Sequence, residues 1–113
     1  MTRKTVKLTV GQAIVRYLIN QYTIIDGERH QLFAGVFGIF GHGNVTCLSE
    51  ALEQVQDRSP PGRGHTPQSM ALAAIVYAKA KLRRQIMIAT TSVGPGATNM
   101  VTAAGVAHSN RLP

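Results

Sequence analysis

The stretch Ile86-Met-Ile-Ala-Thr-Thr-Ser-Val-Gly-Pro-Gly-Ala-Thr-Asn-Met-Val-Thr-Ala-Ala-Gly105 governs how this 113-residue chain folds. An apolar, β-favouring run predicts a strand over 85–91. Gly94-Pro95-Gly96 predicts a tight turn, and the small residues from 97 to about 109 predict a helix that packs closely on a sheet. A strand, a glycine turn and a helix start in succession set backbone N–H groups at the C-terminal edge of a parallel sheet. Open α/β folds bind ligands at that edge. A plain strand-to-helix turn without a ligand is the alternative reading of the same spacing.

Upstream, Leu32-Phe-Ala-Gly-Val-Phe-Gly-Ile-Phe-Gly-His-Gly-Asn44 repeats the pattern. Residues 32–37 form a nearly continuous apolar run, as expected of a parallel strand covered on both faces. Gly38, Gly41 and Gly43 crowd its end, and Asn44 is placed to cap a helix carrying Val45, Leu48, Leu52 and Val55. At the start of the chain, Thr9 and Gln12 spell a capping box. Val10, Ala13, Ile14, Tyr17 and Leu18 then form the expected apolar stripe of a helix ending near Tyr22. Asp26-Gly27-Glu28-Arg29 predicts a turn, and Ser59-Pro-Pro-Gly-Arg-Gly-His-Thr66 a loop unsuited to an interior strand. Thr66 and Pro67 predict the N-cap and first position of a central helix striped by Met70, Ala73, Ala74, Tyr77 and Ala78. Asn110-Arg-Leu-Pro113 reads as the lead-in to another strand. The fold class is therefore α/β, a partial doubly wound parallel sheet with flanking helices.

Composition narrows the function. Hydrophobic residues make up 44% and charged residues 15%, a balance that excludes a disordered chain. No apolar run approaches the roughly 20 residues of a membrane span, and no leader pattern opens the chain. The single cysteine, Cys47, has no internal partner and fits a reducing cytoplasm; it reads as a small buried residue rather than a nucleophile. The net charge of +7 invites a polyanion partner. The basic residues are scattered, however, with one tight group at Lys79, Lys81, Arg83 and Arg84, where a helix should end. That distribution argues against a nucleic-acid module. All carboxylates lie between Asp26 and Asp57, so chemistry elsewhere that needs an acid must borrow one. The four histidines show no metal-ligand spacing.

The words Thr91-Ser-Val-Gly-Pro-Gly-Ala-Thr-Asn99 resemble the signature loop in the pyrimidine-binding domain of thiamine-diphosphate enzymes of the acetolactate synthase type. Leu8-Thr-Val-Gly-Gln-Ala13, the Phe40-Gly-His-Gly-Asn44 wording and Asn110-Arg-Leu-Pro113 are similar to the trihydroxycyclohexanedione hydrolase branch, the ring-opening enzymes of myo-inositol breakdown. The resemblance runs from about residue 5 to 113. It implies that residues 1–113 are the N-terminal part of one pyrimidine-binding domain, whose further strands and domains lie beyond. For the intact enzyme it implies thiamine diphosphate and Mg²⁺, with neither held by this chain alone. The implied partners are the C-terminal domains of the same enzyme and a second copy, joined through sheet or helix faces; the implied location is cytoplasmic.

The resemblance also assigns residues. Gly94, Pro95, Gly96 and Asn99 would hold the cofactor, and Phe40, Gly41, His42 and Gly43 would line the substrate cavity. Asn99 has a second reading, as a side chain that fixes a helix start. His42 has one too, as a loop-packing histidine. The family places a cofactor-activating glutamate at the start of the helix after Thr66, in wording like Arg-Asn-Glu-Gln-Ser-Met. Here His65-Thr-Pro-Gln-Ser-Met70 puts Pro67 at that position. Proline has neither an acid nor an N–H, so no catalytic residue is assigned. His65 is a weaker candidate for contact with the pyrimidine. Competing functions are an acetolactate-synthase-like carboligase, a non-catalytic dimerising α/β module, and a Rossmann nucleotide binder. The last lacks the third glycine and the downstream acid.

Overall fold

The computed structural model describes residues 5–113; Arg3 and Lys4, part of the N-terminal stretch read for a leader, lie outside the described residues. Helix α1 (Val10–Ile19) starts on the capping box read from the sequence. Thr9 Oγ1 accepts from Gln12 N at 3.2 Å, and Gln12 Oε1 accepts from Thr9 N at 3.0 Å. The helix ends sooner than the expected Tyr22. Asn20 is the C-cap, its amide donating to Arg16 O at 2.7 Å, and Arg58 Nη2 donates to Ile19 O at 3.0 Å from across the fold.

The stripe expected to be buried on α1 faces outward. Gly11, Val15 and Ile19 are buried, whereas Val10, Ile14 and Tyr17 are exposed. The cause is a close backbone approach. A Cβ on Gly11 would stand 2.6 Å from the carbonyl oxygen of Cys47. Only the face carrying that glycine admits the neighbouring turn, so packing overrides the stronger apolar period.

Strands β1 (Tyr22–Ile25) and β2 (Glu28–Gln31) form an antiparallel hairpin through Asp26 and Gly27, both at positive φ (52° and 84°). The sequence reading expects only a turn here. Asp-Gly between residues able to extend is a hairpin signal, because a two-residue turn with both φ values positive matches strand twist.

Three parallel strands form the main sheet in the order β4-β3-β5: β3 (Phe33–Ile39), β4 (Pro61–Gly62) and β5 (Ile86–Thr91). Helix α2 (Gly41–Asn44), a π-helical turn (Val45–Ser49) and α3 (Glu50–Glu53) connect β3 to β4. Asn44 therefore lies inside a helical segment that begins at Gly41 and caps nothing. Its amide donates to Thr91 O at 3.4 Å instead. The Pro-Pro-Gly stretch keeps a two-residue strand, tolerated because it runs at the sheet edge.

Helix α4 (Pro67–Ala80) starts as expected, with Thr66 Oγ1 accepting from Ser69 N at 3.2 Å. Met70, Ala71, Ala74 and Ala78 are its buried residues, while Ala73 of the expected stripe is not among them. After β5 come α5 (Pro95–Asn99) and α6 (Val101–Ser109), broken at Met100. The expected strand lead-in at the end of the chain closes α6 instead. Arg111 takes φ 50°, and Leu112 N donates to Ala107 O at 3.0 Å as the buried Leu112 side chain folds back.

Two apolar clusters hold the layers together. Val15, Ile19, Val36, Ala51 and Leu52 join α1 and α3 to β3. Ala78, Ile86 and Leu112 join α4 and the end of α6 to β5. The connection from β3 to β4 runs one way along the sheet and that from β4 to β5 runs back past β3. With right-handed crossovers, this reversal sets the two helix groups on opposite faces. It also makes the C-terminal ends of β3 and β5 the switch point of the sheet. Cys47, read as buried, is half-buried in the π-helical turn. No helix among the described residues is long and apolar enough to cross a membrane.

Candidate functional site

Both glycine-rich stretches converge on this switch point. β3 delivers Phe40 to Gly43, and β5 delivers Ser92 to Gly96. Ser92 lies between them. A Cβ on Gly41, which has φ 64°, would stand 2.6 Å from Ser92 Cβ. One on Gly96 would stand 2.6 Å from Ser92 Oγ and equally close to Thr91 Oγ1. Each glycine is needed where the two crest loops meet, the first for its backbone angle as well. Thr91 Oγ1 is buried there without a hydrogen-bond partner.

The turn at Gly94 and Pro95 is exposed at the sheet crest, with Gly94 at φ 67° and ψ −122°. Gly94, Pro95, Thr98 and Asn99 line a shallow open depression. Gly96 sits beneath, packed on Thr91 and Ser92. Asn99 has a structural task. Its Oδ1 accepts from Gln68 N at 2.9 Å, so α5 caps the start of the neighbouring helix α4. The same bond ties the depression to Pro67, the position where the resemblance expects an acid.

A second cavity of about 670 Å³ opens at the end of β3. Phe40, Gly41 and His42 line it, joined by Val45 and by Pro61 and Arg63 from the edge strand and its loop. Its volume is in the usual range for small-molecule pockets. Gly43 is exposed with open space around it and is not among the lining residues. Arg63 was not singled out from the sequence; only the pairing of β4 with β3 brings it to the cavity. His42 and Arg63 are the ionisable side chains of the lining, which contains no carboxylate. Among the described residues no three His, Cys, Asp or Glu side chains gather as a metal site. His65 is exposed and is not in this lining.

One imidazole and one guanidinium give this lining hydrogen-bond donors for an oxygen-rich molecule. It supplies no carboxyl group.

Comparison with known proteins agrees with the wording of the two loops. The chain is 50% identical over 109 residues, 96% of its length, to the 3D-(3,5/4)-trihydroxycyclohexane-1,2-dione hydrolase of Geobacillus thermodenitrificans. It is 47% identical over all 113 residues to the enzyme of that name from Listeria monocytogenes, and 46% identical over 110 residues to that from Clostridium tetani. It spans 17–18% of the length of these relatives. No family model matches the chain, and no solved structure matches it. Identity at this level along nearly the whole chain makes the trihydroxycyclohexanedione hydrolases its relatives, and the part of them that it matches is the N-terminal one.

Proposed function

We propose that this chain is the first part of the pyrimidine-binding domain of a thiamine-diphosphate enzyme that hydrolyses a C–C bond of a cyclic 1,2-dione in the cytoplasm, and that it is inactive alone. The observation that carries the reading is the meeting of both family loops on Ser92 at the switch point. Gly94, Pro95 and Asn99 would lie against the cofactor ring, and Gly96 lets the turn sit down on the strand end. The open space above Gly94, where nothing lies within 4 Å of a Cβ position, is consistent with a flat ring near the crest. Phe40, Gly41 and His42, with Arg63, would orient the polyhydroxylated substrate.

When bound, thiamine diphosphate supplies the nucleophilic carbon that attacks a substrate carbonyl. The residues present fit its ring but not its activation, since Pro67 stands where the acid is expected. No proton step is assigned to this chain. The diphosphate and Mg²⁺ would be held by the other domains of the intact enzyme.

The test replaces the matching segment of a full-length relative by this chain. Dione hydrolysis should fall at least about a hundredfold, the scale of a lost proton-transfer group. Pro67→Glu in the chimera should restore much of it. A chimera as active as its parent, or robust turnover by the isolated chain with added cofactor, overturns the reading. Carboligation of 2-oxo acids by the restored chimera would favour the acetolactate-synthase-like alternative.

A second reading, a non-catalytic module that dimerises, is favoured by the apolar side chains left outside. Val10, Tyr17, Ile24, Val76 and Val93 are each more than 60% exposed. The accessible surface, 7887 Å², exceeds the roughly 6,000 Å² of a compact monomer of this mass. A monomer by sedimentation at all concentrations rejects that reading.

A further inference from the structure

The opposite end of the sheet carries a different kind of site. Six strand residues separate it from the crest, a distance of about 20 Å. There the hairpin and the segment between α4 and β5 enclose a depression of about 440 Å³. Arg29 and His30 come from β2, and Lys81, Arg84 and Gln85 from the segment after α4. No carboxylate lines it. The ion pair of His30 Nε2 with Glu28 Oε2, at 3.8 Å, involves a glutamate outside the lining.

Two of the cations are held against rings. The Arg29 guanidinium lies 3.7 Å from the centre of the Tyr22 ring, and Lys81 Nζ 5.7 Å from that of Tyr77. The floor is a relay. Tyr77 Oη donates to Gln85 Oε1 at 2.6 Å, and Gln85 Nε2 donates to Gln31 O at 3.0 Å. This relay fixes the helix end against the hairpin and so sets the spacing between Arg29 on one side and Lys81 and Arg84 on the other.

The negative end of α4 accounts for Lys79 and Lys81. It does not account for Arg29 and His30, which arrive from another element. At the rim Leu82 and Arg83 both take positive φ, 51° and 62°, although neither is glycine. These angles belong to the end of α4, where Leu82 N donates to Lys79 O at 3.0 Å and Arg83 N to Ala78 O at 2.8 Å, the bond pair that closes a helix through a left-handed residue.

We propose that this depression binds a compact anion carrying two or more phosphoryl groups. Arginine forks match phosphate oxygens two at a time, and two arginines with a lysine in one lining offset several negative charges at once. The volume admits a small molecule rather than a polymer groove. The site is separate from the crest and does not rest on the function proposed above.

The 113-residue chain is titrated with inorganic pyrophosphate, and in a second arm with a sugar bisphosphate, following amide resonances. Saturable shifts at Arg29, His30 and residues 81–85 are expected, weakening as salt is added. The arm that saturates at lower concentration tells a free anion from a phosphorylated metabolite. Arg29→Gln and Arg84→Gln should each weaken binding about tenfold. Gln85→Leu, which changes no charge, should also weaken it, because it frees the helix end from the hairpin. Arg16→Gln, on α1, should leave it unchanged. Equal losses from Arg16→Gln and Arg84→Gln would reduce the effect to diffuse attraction and overturn the proposal. So would shifts that never saturate, or tighter binding of a single-stranded oligonucleotide with shifts spreading beyond the depression.

Discussion

The two ends of the parallel sheet are built from opposite materials. The crest, at the C-terminal ends of β3 and β5, is made by Gly41, Gly94 and Gly96, and Ser92 is clamped between two of them. The far end is made by long cationic side chains spaced by the Tyr77–Gln85–Gln31 relay. At the crest the backbone does the shaping, so a single added methyl group is the severe change. At the far end the side chains do the shaping, and a methyl group there matters little. The same sheet thus offers a site defined by what is missing and another defined by what projects.

The sharpest test of this contrast is Gly41→Ala against Gly43→Ala. The first adds a Cβ at φ 64° and 2.6 Å from Ser92, whereas the second adds one into open space within a helix. Gly41→Ala should cost about 3 kcal/mol in urea unfolding, from backbone strain and overpacking together. Gly43→Ala should be neutral or stabilise by up to about 1 kcal/mol. Similar values for the two would break the picture of a crest set by backbone contact.

Asn99→Ala probes a side chain at the crest that ties it to a neighbouring helix. Loss of its bond to Gln68 N should cost about 1 kcal/mol, less than the loss of a sole cap because Thr66 still caps the helix. Hydrogen exchange should speed at the Gln68 amide and not at Ser69. Unchanged exchange at Gln68 would free Asn99 for a role toward a ligand alone.

The smallest effect is expected at the far end. Leu82 is 73% exposed and held at φ 51°. Leu82→Gly removes the strain and adds chain entropy, for a net gain of about 0.5 kcal/mol in thermal or urea unfolding. A loss of stability would mean that the leucine side chain, and not the turn, holds the rim.

Local signals along the chain set the elements. Thr9 with Gln12, and Thr66 with Pro67, start their helices where the sequence places them, because a cap is settled within four residues. The apolar runs around Val36 and Ile88 became the paired core strands, since continuous apolarity suits burial on both faces. The glycine stretches were legible as loops at strand ends for the same local reason. The Asp26-Gly27 hairpin is also written there, in a turn of two positive-φ residues, but its strands are only four residues long and the second is polar.

Which surfaces meet was settled by the closed fold alone. Two faces of α1 were open to burial, and the approach of Cys47 to Gly11 chose the one with fewer large apolar residues. Asn44 and Asn99 looked like caps or ligand groups of their own loops. Contacts across the fold gave them Thr91 O and Gln68 N as partners. Arg63 reached the crest cavity, and Arg29 met Arg84, through pairings between elements far apart in the chain. Periodicity and capping act over a few residues, whereas close packing compares whole surfaces, and that comparison exists only once the chain has closed on itself.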